Sequence, residues 1–180
     1  AASIFKLITA SAAIEERQAN PETLIAKLNR NHLSQTTLAD ALARSDNSAF
    51  AAVALRYLDV KTLVDYANRF QFNQKIPFEL PIQVSRVRAE NSRAGLADLA
   101  AGFGDVGLSP LHAALIGSAI ANNGSMVTPC LIDHIISSTG KIVFECVPKI
   151  FATAISAQTA AHLREMMGLT VTVGQAMTTE

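Results

Sequence analysis

The sequence contains no tryptophan and few other aromatic residues, and it carries no excess of either charge. Aromatic residues make up only 6% of the 180 residues, which argues against a base-stacking surface for nucleic acid. Fifteen basic side chains balance fifteen acidic ones, and no basic run occurs. Because a neutral chain has no electrostatic footprint for nucleic acid or an anionic membrane surface, we predict neither as a partner.

Metal-binding patterns are also missing from the sequence. Its two cysteines, Cys130 and Cys146, form no CxxC pair and no cysteine–histidine cluster with zinc spacing. They could pair, but two small buried or half-buried thiols are the favoured interpretation. The histidines lie in separate segments without ligand spacing, and we interpret them as surface or core-edge residues: His32, His112, His134 and His162. A packing role is favoured for His112, and we predict no metal and no cofactor.

No apolar run is long enough to span a membrane, and the first residues show neither an initiator methionine nor a signal peptide. The chain begins instead within a predicted helix. We therefore expect an internal fragment, with any signal or membrane anchor located upstream of residue 1.

Apolar residues make up 49% of the chain and charged residues 17%, which is typical of a well-packed globular protein. The length suffices for one compact domain over residues 1–180. Apolar spacing and capping residues predict about seven helices. They cover residues 3–16, 21–29, the stretch between Thr36 or Thr37 and Ser45, 49–58, 61–70, 111–122 and 156–167, and residues 89–101 are in addition weakly helical.

The remaining segments read as turns and extended chain. Two β-branched runs, 131–137 and 142–146, predict one hairpin, because a glycine-containing turn separates them. Residues 71–81 contain two prolines and are predicted to be extended, and residues 169–173 are predicted to be strand or extended chain. The expected N-caps of the helices are Thr36 or Thr37, Ser92, Ser109 and Ser156.

Ser3 and Lys6 form an S-x-x-K sequence at the start of the first predicted helix. Because residues three apart lie on one helix face, the Ser3 hydroxyl and the Lys6 amine can meet. A serine hydroxyl is a poor nucleophile until a base takes its proton, and a lysine whose pKa is lowered by burial can do so. The helix N-terminus also favours negative charge and leaves backbone N–H groups free. Alone, however, the tetrapeptide more often marks a capping serine beside a solvated lysine.

A second polar motif, Ser45-Asp46-Asn47, separates two alanine-rich predicted helices. In a cleft it would present a hydroxyl and a carboxamide. The Asn47 amide has both a donor and an acceptor, which suits a peptide group of a substrate. The structural alternative is a cap formed by Ser45 or Asp46 for the helix that follows, and capping is compatible with catalysis.

The order S-x-x-K then S-D-N is found in penicillin-binding proteins and class A β-lactamases. Residues 2–10 (ASIFKLITA) and 42–50 (LARSDNSAF) resemble the nucleophile helix and second motif of class B penicillin-binding proteins. Residues 102–124 resemble that family's glycine turn and following helix, and Gly174-Gln175-Ala176 resembles the turn before its last motif strand. The resemblance thus spans nearly all 180 residues.

This resemblance implies a mainly α fragment of the α+β serine transpeptidase (β-lactamase-like) fold, a partial transpeptidase domain with most of the central sheet missing. The family cross-links peptidoglycan: a serine attacks a D-Ala-D-Ala stem peptide, releases D-Ala and passes the acyl group to an amine. β-Lactam antibiotics acylate the same serine. The implied setting is the periplasmic, extracytoplasmic face of a bacterial membrane, with an anchored parent protein and a cell-wall synthesis complex as a candidate partner.

Carried onto this sequence, the motifs assign Ser3 as nucleophile, Lys6 as its general base and Ser45 as the proton shuttle to the leaving nitrogen. Asn47 is assigned to the substrate amide, and Asp46 is interpreted as a cap or structural acceptor. The family's third motif, Lys-Thr-Gly or Lys-Ser-Gly, does not occur in residues 1–180. That strand supplies one oxyanion donor, and losing one donor costs about 100- to 1,000-fold in rate, so we expect the fragment alone to be inactive.

Two rival functions stay open at this point. A serine β-lactamase also fits S-D-N, but rapid deacylation needs a carboxylate that activates water. Glu79 is the one acid of the middle loop that we can nominate for that task. The other rival is a sensor or scaffold that keeps the fold without cross-linking peptides.

Overall fold

The computed structural model describes residues 2–29 and 32–173, and α-helices dominate these ranges. A 3-10 turn, Ala2–Ile4, leads into the first helix. The seven α-helices of the described residues are α1 (Phe5–Glu15), α2 (Leu38–Ala43), α3 (Asn47–Tyr57), α4 (Val60–Arg69), α5 (Arg93–Ala101), α6 (Pro110–Ala121) and α7 (Ala157–Thr172). The predicted mainly helical character is therefore confirmed.

The strands of the described residues are short and form four separate antiparallel pairs. They are β1 (Leu24–Asn29), β2 (His32–Thr37), β3 (Arg86–Arg88), β4 (Asp105–Gly107), β5 (Ser125–Val127), β6 (His134–Ile136), β7 (Ile142–Glu145) and β8 (Ile150–Thr153). β1 pairs with β2, β3 with β4, β5 with β8 and β6 with β7. The β6–β7 pair is the predicted hairpin, whereas the other three pairs are not predicted by the sequence analysis.

Helix α1 forms the centre of the core. Nine of its eleven residues are buried, and it contacts α2, α3, α4, α5 and α7. A helix that is apolar or small on all sides belongs inside a domain rather than on its surface. The Thr9 hydroxyl donates to the Ala100 carbonyl at 2.9 Å, which satisfies a buried polar group and joins α1 to α5. Lys6 therefore lies on a helix that is fixed in place by core packing.

Side-chain caps mark where most helices begin. The predicted caps Thr37, Ser92, Ser109 and Ser156 each accept a hydrogen bond from the backbone N–H three residues later. Because Ser92 is the cap, α5 begins at Arg93 and not at the predicted residue 89. Helix α1 has no side-chain cap, so no side chain takes the N–H groups at its N-terminus.

The predicted helix over residues 21–29 is wrong, because Leu24–Asn29 form strand β1. The preceding residues form a turn, in which the Asn20 Oδ1 atom accepts from the Glu22 N–H at 3.0 Å. Ile25 is buried between exposed neighbours, which is the period of two of a strand with one covered face. Pro21 therefore belongs to a turn and not to the first turn of a helix.

The C-terminal prediction is also partly wrong. Helix α7 continues to Thr172, so residues 169–172 are helical and not extended. Leu169 packs against the core, and the Thr170 hydroxyl donates to the Met167 carbonyl at 2.6 Å. Packing thus overrides the β-branched character of this segment. The predicted turn at Gly174-Gln175-Ala176 lies outside the described residues.

Cys130 and Cys146 form a disulfide, so the favoured interpretation as two free thiols is wrong. The hairpin brings them together: at its open end, the Cys146 N–H donates to the Asp133 carbonyl at 2.7 Å. Every residue of β6 and β7 is exposed, so burial contributes little to this hairpin. A cross-link between cysteines 16 residues apart supplies stability that the strand side chains do not.

His112 lies in the core beneath the start of α1, and its predicted packing role is confirmed, although it is fully buried and not at the core edge. Its ring packs on Phe72 with centroids 4.8 Å apart, and Phe72 in turn contacts Phe5. The Nε2 atom lies 2.5 Å from the Phe70 carbonyl and therefore donates to it. The Nδ1 atom has no partner among the described residues. Burial lowers the pKa of His112 below its ordinary value of 6.5.

This buried histidine should make the protein less stable in weak acid. Since its folded pKa lies below its unfolded pKa, the unfolded chain binds more protons between the two, and stability falls as pH drops below about 6.5. The loss amounts to at most about 1.4 kcal/mol for each pH unit in that interval. Urea unfolding at pH 7.5, 6 and 5 measures this effect. As pH decreases, the free energy of unfolding should fall more steeply for the wild type than for His112→Gln, which keeps a hydrogen-bond donor for the Phe70 carbonyl. Parallel curves would contradict this prediction.

Candidate active site

Ser3 lies in the 3-10 turn that leads into α1, and Lys6 lies in the first turn of that helix. The Ser3 side chain faces solvent, whereas Lys6 is only 1% exposed. The Lys6 Nζ atom donates to the Ser3 Oγ atom at 3.1 Å. The spacing of three residues therefore places the amine directly beneath an accessible hydroxyl, as the sequence predicts.

Burial sets the chemistry of Lys6. Removal from water disfavours the charged form, so desolvation holds the pKa of Lys6 below its ordinary value of 10.5. Within the described part of the chain, no carboxylate forms an ion pair with Lys6. Within these residues, its Nζ atom donates to two serine hydroxyls. An amine in these surroundings releases its proton more readily than an exposed lysine, and its neutral form can accept a proton from a hydroxyl.

Ser45 completes the cluster from the turn between α2 and α3. Its Oγ atom lies 2.5 Å from the Ser3 Oγ atom and 3.2 Å from the Lys6 Nζ atom. The three polar atoms thus form a closed triangle, although Ser3 and Ser45 are 42 residues apart in sequence. Ser45 has a φ of 53°, a left-handed conformation that is strained for a residue with a Cβ atom. Such strain persists only where surrounding contacts hold the backbone.

The other two residues of the S-D-N motif begin helix α3. Asp46 is the N-cap, and its Oδ1 atom accepts from the Ala49 N–H at 3.0 Å, as expected for a structural acceptor. Its carboxylate also forms an ion pair with Lys27 of β1. Asn47 is exposed, and its side-chain amide forms no hydrogen bond within the described residues. The Asn47 amide is therefore free to bind a ligand beside the cluster.

Glu79, nominated as the acid of a rival β-lactamase site, does not join this cluster. Both of its carboxylate oxygens accept from the Leu131 N–H, at 3.2 and 3.3 Å.

The described residues contain no group of three or more metal-ligating side chains. They also contain no helix with the length and apolar character needed to cross a membrane.

Lys27 is a candidate functional residue that no sequence motif indicates. It falls within the segment wrongly predicted as a helix, where a lysine looks like an ordinary solvated charge. One signal was available: Ile25 and Lys27 are two residues apart and would share one face of a strand. Recognising that signal requires knowing first that this segment is a strand.

The sequence model of one protein family, the penicillin-binding protein transpeptidase domain, matches residues 1–180, which is the whole chain. The chain belongs to this family. Penicillin-binding protein 3 of Bacillus subtilis is 37% identical over 102 residues, which cover 56% of this chain and 15% of that protein. Peptidoglycan D,D-transpeptidase PbpA of Mycolicibacterium smegmatis is 29% identical over 189 aligned positions, which cover 92% of this chain and 37% of that protein.

Solved structures of penicillin-binding proteins share this fold. PBPA from Mycobacterium tuberculosis matches with a TM-score of 0.85 and 26% identity, over 97% of this chain and 44% of that one. The D,D-transpeptidase domain from Eggerthella lenta matches with a TM-score of 0.83 and 27% identity, over 96% and 48%. A second structure of the M. tuberculosis protein is an imipenem acyl-enzyme complex. These coverages mean that the chain spans less than half the length of these relatives. The TM-scores confirm the predicted transpeptidase fold.

Proposed function

We propose that the intact protein containing this chain is a serine D,D-transpeptidase that cross-links peptidoglycan stem peptides. The observation that carries this proposal is the triangle of polar atoms formed by Ser3, Lys6 and Ser45, with sides of 2.5, 3.1 and 3.2 Å. An exposed hydroxyl in contact with a buried amine is the arrangement that an activated serine nucleophile needs. The M. tuberculosis relative that forms a β-lactam acyl-enzyme supports the same chemistry.

In the proposed acylation step, the Ser3 Oγ atom attacks the carbonyl carbon of the D-Ala-D-Ala peptide bond while neutral Lys6 takes the hydroxyl proton. The C–N bond then breaks, and Ser45 relays the proton from Lys6 to the nitrogen of the departing D-Ala. The product is an ester between Ser3 and the stem peptide. The amine of a second stem peptide then attacks this ester, loses its proton through the same groups and regenerates the Ser3 hydroxyl.

Two further features would assist this reaction. The Ser3 N–H lies in the 3-10 turn before α1 and makes no hydrogen bond within the described residues, so it would be available to a developing oxyanion. The free Asn47 amide would bind the peptide backbone of the substrate with a donor and an acceptor. The second oxyanion donor belongs to the Lys-Thr-Gly strand, a motif that residues 1–180 do not contain. We therefore propose that the isolated fragment has little or no activity.

We also propose an extracytoplasmic location, in an anchored parent protein that works within a cell-wall synthesis complex. The Cys130–Cys146 disulfide supports this proposal, because disulfides persist in oxidising compartments and are rare in the cytosol. The donor substrates would be D-Ala-D-Ala stem peptides, and β-lactams would act as covalent inhibitors.

Incubation of the intact protein with benzylpenicillin tests this function. β-Lactam ring opening adds the whole antibiotic to the serine, so the expected result is one adduct whose mass equals protein plus one penicillin. The adduct of a transpeptidase should survive for hours, because within the described residues no carboxylate forms a hydrogen bond with Ser3, Lys6 or Ser45 and could activate water at the ester. An adduct that hydrolyses within seconds would favour the β-lactamase alternative, and the absence of any adduct would contradict acyl-serine chemistry altogether.

A further inference from the structure

Lys27 reaches the S-D-N motif from strand β1. Its Nζ atom pairs with the Asp46 carboxylate, and the two side chains are only 15% and 19% exposed. An ion pair withdrawn from water in this way is stronger and less screened than one on the surface. Strand β1 contacts α3, and Ile25 is buried on the strand face that it shares with Lys27. The burial of Ile25 therefore directs Lys27 toward the start of α3.

Asp46 connects three elements of the fold at this point. Its Oδ1 atom caps α3 through the Ala49 N–H at 3.0 Å, and its own N–H donates to the Ala41 carbonyl of α2 at 2.8 Å. The remaining oxygen, Oδ2, pairs with Lys27 of β1. Asp46 lies directly between Ser45 and Asn47, so whatever fixes Asp46 also fixes the backbone that carries those two side chains.

Ser45 needs such support because its backbone is strained. A left-handed conformation, here with a φ of 53°, costs a non-glycine residue about 1 kcal/mol or more. The conformation is held by the hydrogen bond from the Ser45 N–H to the Leu42 carbonyl at 3.0 Å and by the contacts of Asp46. If the turn relaxed, the Ser45 Oγ atom would lose its short contacts with Ser3 and Lys6.

We propose that Lys27 is a positioning residue for acylation: its ion pair with Asp46 holds the turn that presents Ser45 and Asn47 to Ser3 and Lys6. This inference rests on the proposed function. Removing Lys27 would leave a half-buried carboxylate without its counter-ion, and such a group turns toward water. If the Asp46 carboxylate rotated toward water, the strained Ser45 backbone would relax and leave its active geometry.

Three variants of the intact protein test this role through the second-order rate constant of acylation by benzylpenicillin. Lys27→Met should lower it by about tenfold, since displacement of a reacting group by about 1 Å costs up to about 100-fold. Lys27→Arg keeps the charge and the reach, and it should restore most of the rate. The matched control is Lys61→Met, which breaks the exposed ion pair with Asp65 on α4, where the side chains are 86% and 49% exposed. It should acylate like the wild type.

A double-mutant comparison decides whether Lys27 acts through Asp46. Asp46→Asn keeps an oxygen that can cap α3 but removes the charge that Lys27 pairs with. In that background Lys27→Met should produce no further loss. A full tenfold loss in both backgrounds would overturn the proposal. So would a Lys27→Met protein that labels in smaller amount but at the wild-type rate constant, because that result indicates partial unfolding and not mispositioning.

Amide hydrogen exchange gives a readout that does not depend on acylation. The Ser45 and Asp46 N–H groups bond to the Leu42 and Ala41 carbonyls, so their exchange reports on the turn itself. Both amides should exchange at least about tenfold faster in Lys27→Met than in Lys27→Arg or Lys61→Met. Unchanged exchange would overturn the role of Lys27, whatever the kinetics show. A wild-type protein that is not acylated would instead overturn the proposed function.

Discussion

Replacing Ser3 with alanine is expected to abolish covalent labelling of the intact protein by fluorescent penicillin. The exposed Ser3 Oγ atom is the hydroxyl in contact with the buried Lys6 amine, so its removal takes away the atom that would form the acyl bond. Loss of the nucleophile in a serine hydrolase lowers kcat by about a millionfold, which places labelling below detection. The fold should persist, because Ser3 precedes α1 and its side chain faces solvent.

Ser48→Ala provides the matched control for this prediction. Ser48 is also an exposed serine, three residues after Ser45 and the second residue of α3, but it takes no part in the triangle of polar atoms. This variant should label like the wild type. Undiminished labelling of Ser3→Ala, with the adduct mapped to another residue by peptide mass analysis, would show that the nucleophile is assigned wrongly.

The contact between Ser3 and Lys6 could be predicted because it depends on local geometry alone. Residues three apart meet on a helix whatever the rest of the fold does, and the helix itself is signalled by its apolar spacing. Four of the helix caps follow from equally local chemistry, in which a hydroxyl accepts from the N–H three residues later. Motifs of this kind carry their structure within a few residues.

The contact between Ser3 and Ser45 depends on tertiary packing. The spacing of 42 residues does not itself predict that the two hydroxyls lie 2.5 Å apart, and only the family resemblance of the two motifs indicates it. The structure adds the physical basis, because α1 contacts both α2 and α3, and the turn carrying Ser45 joins those two helices. A resemblance can therefore identify such a pair before packing explains it.

The errors fall where local signals are ambiguous. Asn20-Pro21 fits both a helix start and a turn, and which of the two forms depends on whether β1 pairs with β2. Cys130 and Cys146 show no sequence pattern that distinguishes a disulfide from two thiols, since the hairpin alone brings them together. The role proposed for Lys27 is as hard to predict from the sequence as β1, because it exists only once the strand lies over α3.

Replacing Lys6 is expected to have opposite effects on activity and on stability. Lys6→Met should lower the rate of penicillin acylation by about 100- to 10,000-fold, because it removes the side chain proposed as the general base. The same change should leave the free energy of unfolding at pH 7 unchanged or raise it. The Lys6 amine is 1% exposed and has no carboxylate partner within the described residues, so its charged form is unfavourable in the folded state. Urea unfolding and acylation kinetics on one preparation would measure both effects.

Lys6→Arg separates the role of a base from that of a positive charge. Arginine keeps a charge and hydrogen-bond donors near Ser3 and Ser45, but it stays protonated and cannot accept the Ser3 proton. It should therefore be as inactive as Lys6→Met, and acylation at the wild-type rate would exclude Lys6 as the base.

The pH dependence follows from the same buried amine. Desolvation holds the pKa of Lys6 below 10.5, so wild-type acylation should rise with pH and level off at an apparent pKa below that value. The stability of the wild type should also rise with pH between the folded and unfolded pKa values, because the unfolded chain binds the extra proton there. In Lys6→Met, this pH dependence of acylation and of the free energy of unfolding should both disappear. The reactivity of the cluster and its cost in folding stability would then depend on the same side chain.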